Sequence, residues 1–292
     1  MAVAEAPQAL APAARGDAPA RARSWLRAPR IAVPAAVLVL IALLCYLGPL
    51  VLPLPSPIGG KVLEAGLPAG SPGHLLGTDP NGNDVLSRLL NGGRASLTVA
   101  VTVNVLGLLI GGTLGALSGY LGGLADTLIM RLLDILIAFP SLVLILAVAQ
   151  ALGQSLTNTI MALAFFSVPA FARIARAATL RLREQPFMAA AALCGTSGRR
   201  ILLRHVAPNI APQLLTFGML GMGVVIVIEG ALSFLGLGIP APRPSWGNMI
   251  AQGQQSLSAT PMLVVWPCLI LFATVFACNL LGEALREREG AR

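Results

Sequence analysis

The chain has 292 residues, 56% of them hydrophobic and only 11% charged, with a mean hydropathy of +0.80. A soluble domain carries about 25% charged residues, so a water-soluble globule is excluded for most of this length. The net charge of +8 does not describe a nucleic-acid patch either, because the arginines gather beside apolar runs instead of spreading over one polar face.

Residues 1–30 are rich in Ala, Pro and Arg and have no apolar face, so they are expected to form a disordered cytoplasmic tail. The next apolar run, 31–54, is longer than a signal core of about 7–15 residues and lacks a clear cleavage site. It is expected to stay as a first transmembrane helix. About 20 apolar residues cross a bilayer, and further runs of that length lie at 96–120, 127–152, 159–180, 214–237 and 262–283. Lipid offers the backbone no partners, so each run is expected to be helical. The fold class is therefore an all-α membrane protein with six transmembrane helices.

Between the first two spans, residues 55–95 form an extracytoplasmic segment opened by Pro53, Pro55, Pro57, Gly59 and Gly60. Val85, Leu86, Leu89 and Leu90 recur at helical spacing, which predicts an amphipathic helix lying on the outer membrane surface. In the second span Gly107, Gly111, Gly112 and Gly115 provide two overlapping G-x-x-x-G spacings, read as close packing within the chain. Arg131 and Asp134, three apart on the third span, are predicted to pair.

The fourth span ends in Arg173, Arg176, Arg181 and Arg183, and after it comes a segment no lipid-facing helix would carry, 184–209. Gly195 can turn the chain there because glycine accepts positive φ. Thr196 or Ser197 is predicted to cap a helix that Pro208 stops near Val206, with Asn209 capping the fifth span. Residues 236–248 read as a rigid external loop with Trp246 at the membrane interface, and 286–292 as a cytoplasmic tail. With the N-terminus inside, 16 of the 20 basic residues are cytoplasmic, leaving Lys61, Arg88, Arg94 and Arg243 outside. The positive-inside rule then gives N-in, C-in topology.

Polar residues within the spans are translocation-pathway candidates: Asn104, Gln150, Gln154 and Glu229. An interhelical hydrogen bond is the alternative for Asn104, outer headgroup contact for the two glutamines, and structural pairing or capping for Glu229. Cys45, Cys194, Cys268 and Cys278 form no C-x-x-C pair and read as small apolar residues. His74 and His205 are the only histidines and match no metal-ligand spacing. Neither lies at membrane depth, which argues against an intramembrane protease.

Residues 187–209 resemble the cytoplasmic loop of ATP-binding-cassette importer permeases, whose pattern is Glu-Ala-Ala, three residues, Gly, nine residues, Ile-x-Leu-Pro. Ala190 and Ala191 match the alanines, Gly195 the glycine and Pro208 the proline; Ala189 replaces the glutamate and Ala207 the leucine. Residues 76–88, containing Gly77-Thr78-Asp79-Pro80 and Asp84-Val85-Leu86-Ser87-Arg88, resemble the signature before the second span of dipeptide/oligopeptide permeases. Residues 232–238 and 244–249 resemble the end of that family's fifth span, and together they point to the second, C-type subunit.

The resemblance covers about residues 74–285. It implies a type I importer permease core over 96–285, with cytoplasmic coupling helices in 184–209. Its coupling residues would be Phe187, Ala189, Ala190, Ala191, Gly195, Ser197, Arg200, His205 and Pro208. Implied partners are a B-type permease subunit, two ATPase subunits or a fused ATPase, an extracytoplasmic peptide-binding lipoprotein and the lipid bilayer, with no nucleic acid. Asp79, Asp84, Arg88 and Arg243 are candidates for meeting the binding protein; solvated surface charge, or capping by the aspartates, is the alternative. The chain has no G-x-x-x-x-G-K-[ST] phosphate loop, so ATP and Mg would sit in the partner ATPases and this chain would be non-catalytic, with no cofactor of its own. The expected function is peptide uptake across a bacterial inner membrane. Nickel or glutathione permeation is the nearer alternative, and an ion-driven secondary transporter the more distant one.

Overall fold

The computed structural model describes residues 18–138 and 141–289. Within them the chain is helical apart from turns and two isolated bridges. Of the expected N-terminal tail, residues 1–17 lie outside the described residues, and 18–30 are the beginning of α1 (Ala18–Val51). After the segment at 55–84 come α2 (Val85–Leu106) and α3 (Gly112–Leu121), joined without a break by a π-turn at Gly107–Gly111. The amphipathic surface helix expected at 85–90 is therefore not separate. Asp84 caps α2, accepting from the Ser87 amide at 2.7 Å, and Val85, Leu89 and Leu90 are buried.

The predicted third span is two helices, α4 (Gly123–Ile137) and α5 (Ser141–Leu152), of 15 and 12 residues. Each is shorter than a bilayer requires. Among the described residues five helical stretches are individually long and apolar enough to cross a membrane: Pro29–Val51, Val85–Leu121, Leu156–Arg183, Gly198–Phe234 and Met262–Glu289. They contain α6 (Leu156–Arg183), α8 (Gly198–Ile201), α9 (Ala207–Phe234) and α11 (Met262–Glu289); α7 (Pro186–Leu193) precedes α8, and α10 (Trp246–Gln254) lies between α9 and α11.

Helix α10 replaces part of the expected rigid loop. Ser245 accepts from the Asn248 amide while the Asn248 side chain accepts from the Ser245 amide, a reciprocal cap. Trp246 is not interfacial: it is fully buried, and its indole Nε1 donates to the Leu89 carbonyl at 3.0 Å. That contact seals α10 onto α2, where Gly93 leaves room for the indole and Cys45.

The tightest helix approach is between α2–α3 and α6. Gly107, Gly111, Gly115 and Gly119 form one stripe, and a Cβ on Gly111 or Gly115 would strike the carbonyls of Val168 or Ala172. The glycine spacing thus serves packing inside the chain. At the end of this seam Arg176 grips Asp126 through two hydrogen bonds of 2.6 Å, and Ser118 donates to the same carboxylate. The Arg176 guanidinium first, and the Ser118 hydroxyl second, pull Asp126 down to about 2. The expected Arg131–Asp134 pair is not the one formed, since Arg173 of α6 takes Asp134 at 2.8 Å. Cys45 and Cys278 are buried as expected, whereas Cys268 is exposed on α11.

The seam can be probed by packing and by pH. Gly115→Ala should lower the melting temperature of the detergent-solubilised protein, at an overpacking cost of about 1–3 kcal/mol. Gly112→Ala, whose new Cβ meets only Leu214 Cδ1 at 3.4 Å, should not; equal effects would contradict the account of the seam. The depressed Asp126 contributes stability that is complete above its ordinary value of 3.8 and fades as pH falls from about 4 towards about 2. The melting gap between wild type and Asp126→Asn should narrow over that interval, from about 1–2 kcal/mol at neutral pH after allowing for solvent screening. A gap independent of pH would contradict it.

Candidate functional site

The segment 184–209 is built on a helix pair at the end of α6. Gln185 and Pro186 start α7, with proline in the first turn where a missing N–H costs nothing. Met188 points inward, buried against a cluster with Phe171, Ile201, Val206, Ile210 and Leu214. The opposite face is bare. Ala189, Ala190 and Gly195 are exposed and Ala191 half-buried, while Leu193 is 89% exposed and Leu203 61%.

Helix α7 ends at Leu193, and two residues on, Gly195 has a left-handed φ of 74°. The Gly195 amide donates to the Ala192 carbonyl at 3.0 Å and the Thr196 amide to the Ala191 carbonyl at 3.1 Å. This pair of bonds is a Schellman turn, which only glycine adopts without strain. A side chain at Gly195 would meet nothing within 4 Å, so the space in front of it is free.

Ser197 stands at the N-cap of α8 but its hydroxyl makes no capping bond. Pro208 does not stop the next helix. A π-turn at Leu202–Val206 carries α8 straight into α9, with Pro208 in the first turn of α9. Asn209 is inside that helix, donating from Nδ2 to the His205 carbonyl at 2.6 Å, and caps nothing. The wider turn takes up the missing proline N–H and leaves the helix unbroken. His205 lies 6.3 Å from the Phe187 ring, centroid to centroid. Phe187 also lines a cleft of about 320 Å³ with Gln185, Arg181 and Gln213. Arg200 is exposed on α8. A Cβ on Gly198 would come within 3.3 Å of the Tyr120 ring, so the loop leans on the end of α3.

A second feature is a cavity of about 760 Å³ between α2, α6, α9 and α11, with Ile137 and Ile145 on a further side. Of the four predicted pathway residues only Asn104 lines it. Gln150 and Gln154 are exposed elsewhere. Glu229 is fully buried, accepting from the Ser233 hydroxyl at 2.7 Å, which fits the structural alternative. Ser167, Gly221 and Asn279 complete the polar and open part of the lining, and the sequence reading missed all three. A serine or asparagine inside an apolar run was the available signal.

At the opposite end from the loop, Asp79, Asp84 and Arg88 do not form an open surface. They are 8%, 2% and 4% exposed. Asp79 accepts from the Asn81 and Asn83 amides at 2.8 and 2.9 Å, and Arg88 Nε stands 3.5 Å from its Oδ2. Arg88 also donates to the Gln252 Oε1 of α10 at 2.9 Å, tying the 55–84 segment to α10. Asp84 Oδ2 lies 2.9 Å from His74 Nδ1. These charges are neither solvated nor presented outward; Arg243 alone of the four is exposed.

Residues 111–288 match the family described as binding-protein-dependent transport system inner membrane component. The chain is 40% identical over 217 residues to the glutathione transport system permease protein GsiD of Pectobacterium atrosepticum, covering 74% of this chain and 72% of that one. It is 42% identical over 214 residues to GsiD of Escherichia coli O6:K15:H31, covering 73% and 71%. To the dipeptide transport system permease protein DppC of Alkalihalophilus pseudofirmus it is 38% identical over 214 residues, covering 73% and 70%. In fold it is similar to an inward-facing MetNI methionine ABC transporter chain, with a TM-score of 0.54 at 17% identity, covering 68% of this chain and 95% of that one. The chain therefore belongs to the family of inner-membrane permease components of ABC importers.

Proposed function

We propose that this chain is the C-type permease subunit of an importer for peptides, including small ones of the glutathione kind. It acts with a B-type permease, two ATPase subunits that hold the ATP and Mg, and an extracytoplasmic binding lipoprotein. The orientation is N-in, C-in, with α7 and α8 at the cytoplasmic face. The observation that carries this reading is the loop's mechanical continuity. An exposed Ala189–Gly195 surface passes through α8 and the π-turn into α9, a wall of the cavity, with no flexible linker between them.

In this reading the exposed alanines and Leu193 meet a groove on the ATPase. Alanines admit close approach, and Leu193 and Phe187 give up water-exposed apolar area worth about 25 cal/mol per Å² buried. Ala189 brings no carboxylate to that contact, so docking rests on shape and apolar burial, with Arg200 and His205 at its rim. Closure of the ATPase pair moves the loops together and tilts α9. Reversing a two-state equilibrium from 1:99 to 99:1 needs about 5.5 kcal/mol of differential binding, which the ATPases supply. Arg243 is the outward charge for the binding protein. Asp79, Asp84 and Arg88 support that contact from within by fixing the 55–84 segment on α10. The peptide substrate is supported by the relatives, one named for a dipeptide and others for glutathione, itself a tripeptide.

Gly195→Asp tests the coupling role. With the variant as the sole copy, peptide uptake should be lost while membrane insertion stays at the wild-type level: the added side chain strains the left-handed turn locally but meets no atom of this chain, and it obstructs a partner. Undiminished uptake would refute the assignment.

A further inference from the structure

The polar side chains of the cavity share one arrangement. Asn104 Nδ2 donates to the Ala100 carbonyl at 2.9 Å, and Asn279 Nδ2 to the Val275 carbonyl at 3.0 Å. Ser167 Oγ donates to the Ala164 and Val103 carbonyls, at 3.1 and 3.2 Å. The serine spends its one donor on helix backbone, and each asparagine spends one of its two amide hydrogens there, as such residues often do in helices. Each still offers the cavity an acceptor oxygen, and the asparagines one further N–H apiece. None of the described lining residues is ionisable. Asn104 Oδ1 is aimed across to α9, where a Cβ on Gly221 would meet it at 2.6 Å. Glycine at 221 is what leaves that carbonyl oxygen uncovered.

From this geometry we infer that the cavity is an uncharged subsite whose side-chain oxygens take N–H donors of the passing solute, with Asn104 as its specificity-determining residue. The donors would be backbone amides or a terminal ammonium. This rests on the reading of the chain as a peptide permease. An apolar wall with a few acceptors binds such groups weakly enough to release them. The absence of fixed charge leaves side chains of either sign free to follow. Gly221 acts here as a positioning residue that keeps the Asn104 oxygen clear.

The test uses the complete importer reconstituted in proteoliposomes with its own binding protein, and tri-alanine as the probe. Uptake is read per ATP hydrolysed. Asn104→Leu should lower tri-alanine uptake per ATP roughly tenfold, the upper worth of one hydrogen bond, with binding-protein-stimulated hydrolysis within about twofold of wild type. Gly221→Ala should shift the ratio the same way, and it serves if Asn104→Leu does not assemble. Asn104→Ser, which keeps an acceptor, should restore much of the ratio. An unchanged ratio in both variants overturns the inference, as does a parallel loss of hydrolysis and uptake, which would mean a structural role. A wild-type importer that hydrolyses ATP but takes up no tri-alanine would instead sink the peptide reading, visibly and before any variant is compared.

Discussion

The close approach of α2–α3 to α6 is the contact on which the other features depend. Only hydrogen at positions 107, 111, 115 and 119 lets the two backbones lie against each other. In lipid no hydrophobic force drives helices together, so packing at this distance is itself the source of cohesion. Because α6 is held along its length, its arginines arrive where they find partners: Arg173 on Asp134 and Arg176 on Asp126. Arg181 meets Gln213 of α9 at 3.1 Å. These arginines therefore fasten α4 and α9 to α6.

The same seam links the loop to the cavity. Phe171 of α6 is in the core beneath α7 and α8 and also in the cavity lining. It packs edge-on against Phe217 of α9, centroids 5.0 Å apart, and Phe217 lines the cavity too. A displacement of α7 and α8 has a short route to the cavity wall through these two rings, besides the continuous helix into α9. Packed interiors respond to such displacement by switching arrangement more readily than by deforming gradually. The opposite end is built for rigidity: the Arg88–Gln252 and Trp246–Leu89 bonds lock the 55–84 segment, α10 and α2 into one cap.

Features set by local chemistry were legible in the sequence. Apolar runs locate the spanning helices because lipid permits little else, and the glycine stripe and Gly195 can be read from backbone requirements alone. Misreadings arose where a long-range partner decides. Val85, Leu89 and Leu90 have the spacing of a surface helix, but α10, about 160 residues later, lies over Val85 and Leu89, and Leu90 packs towards Gly48 of α1. Trp246 has the composition of an interfacial residue until the Leu89 carbonyl and the space over Gly93 are in place. Asp79 and Arg88 look like solvated charges because nothing nearby in sequence announces Gln252 as their neighbour. Pro208 reads as a stop, and the helix passes it only by widening into a π-turn, which carries no composition signal. Among the pathway candidates, Asn104 and Glu229 are alike in sequence as polar groups in apolar runs; only the fold turns one towards the cavity and the other into a buried bond with Ser233.

The most direct test of the whole account is the sidedness of Cys194, which stands exposed at the end of α7 beside the Schellman turn. A membrane-impermeant maleimide should modify Cys194 in inside-out vesicles and leave it untouched in intact cells, with purified ATPase subunits protecting it in the vesicles. Modification in intact cells would put the loop on the wrong side of the bilayer for any ATPase and contradict the account.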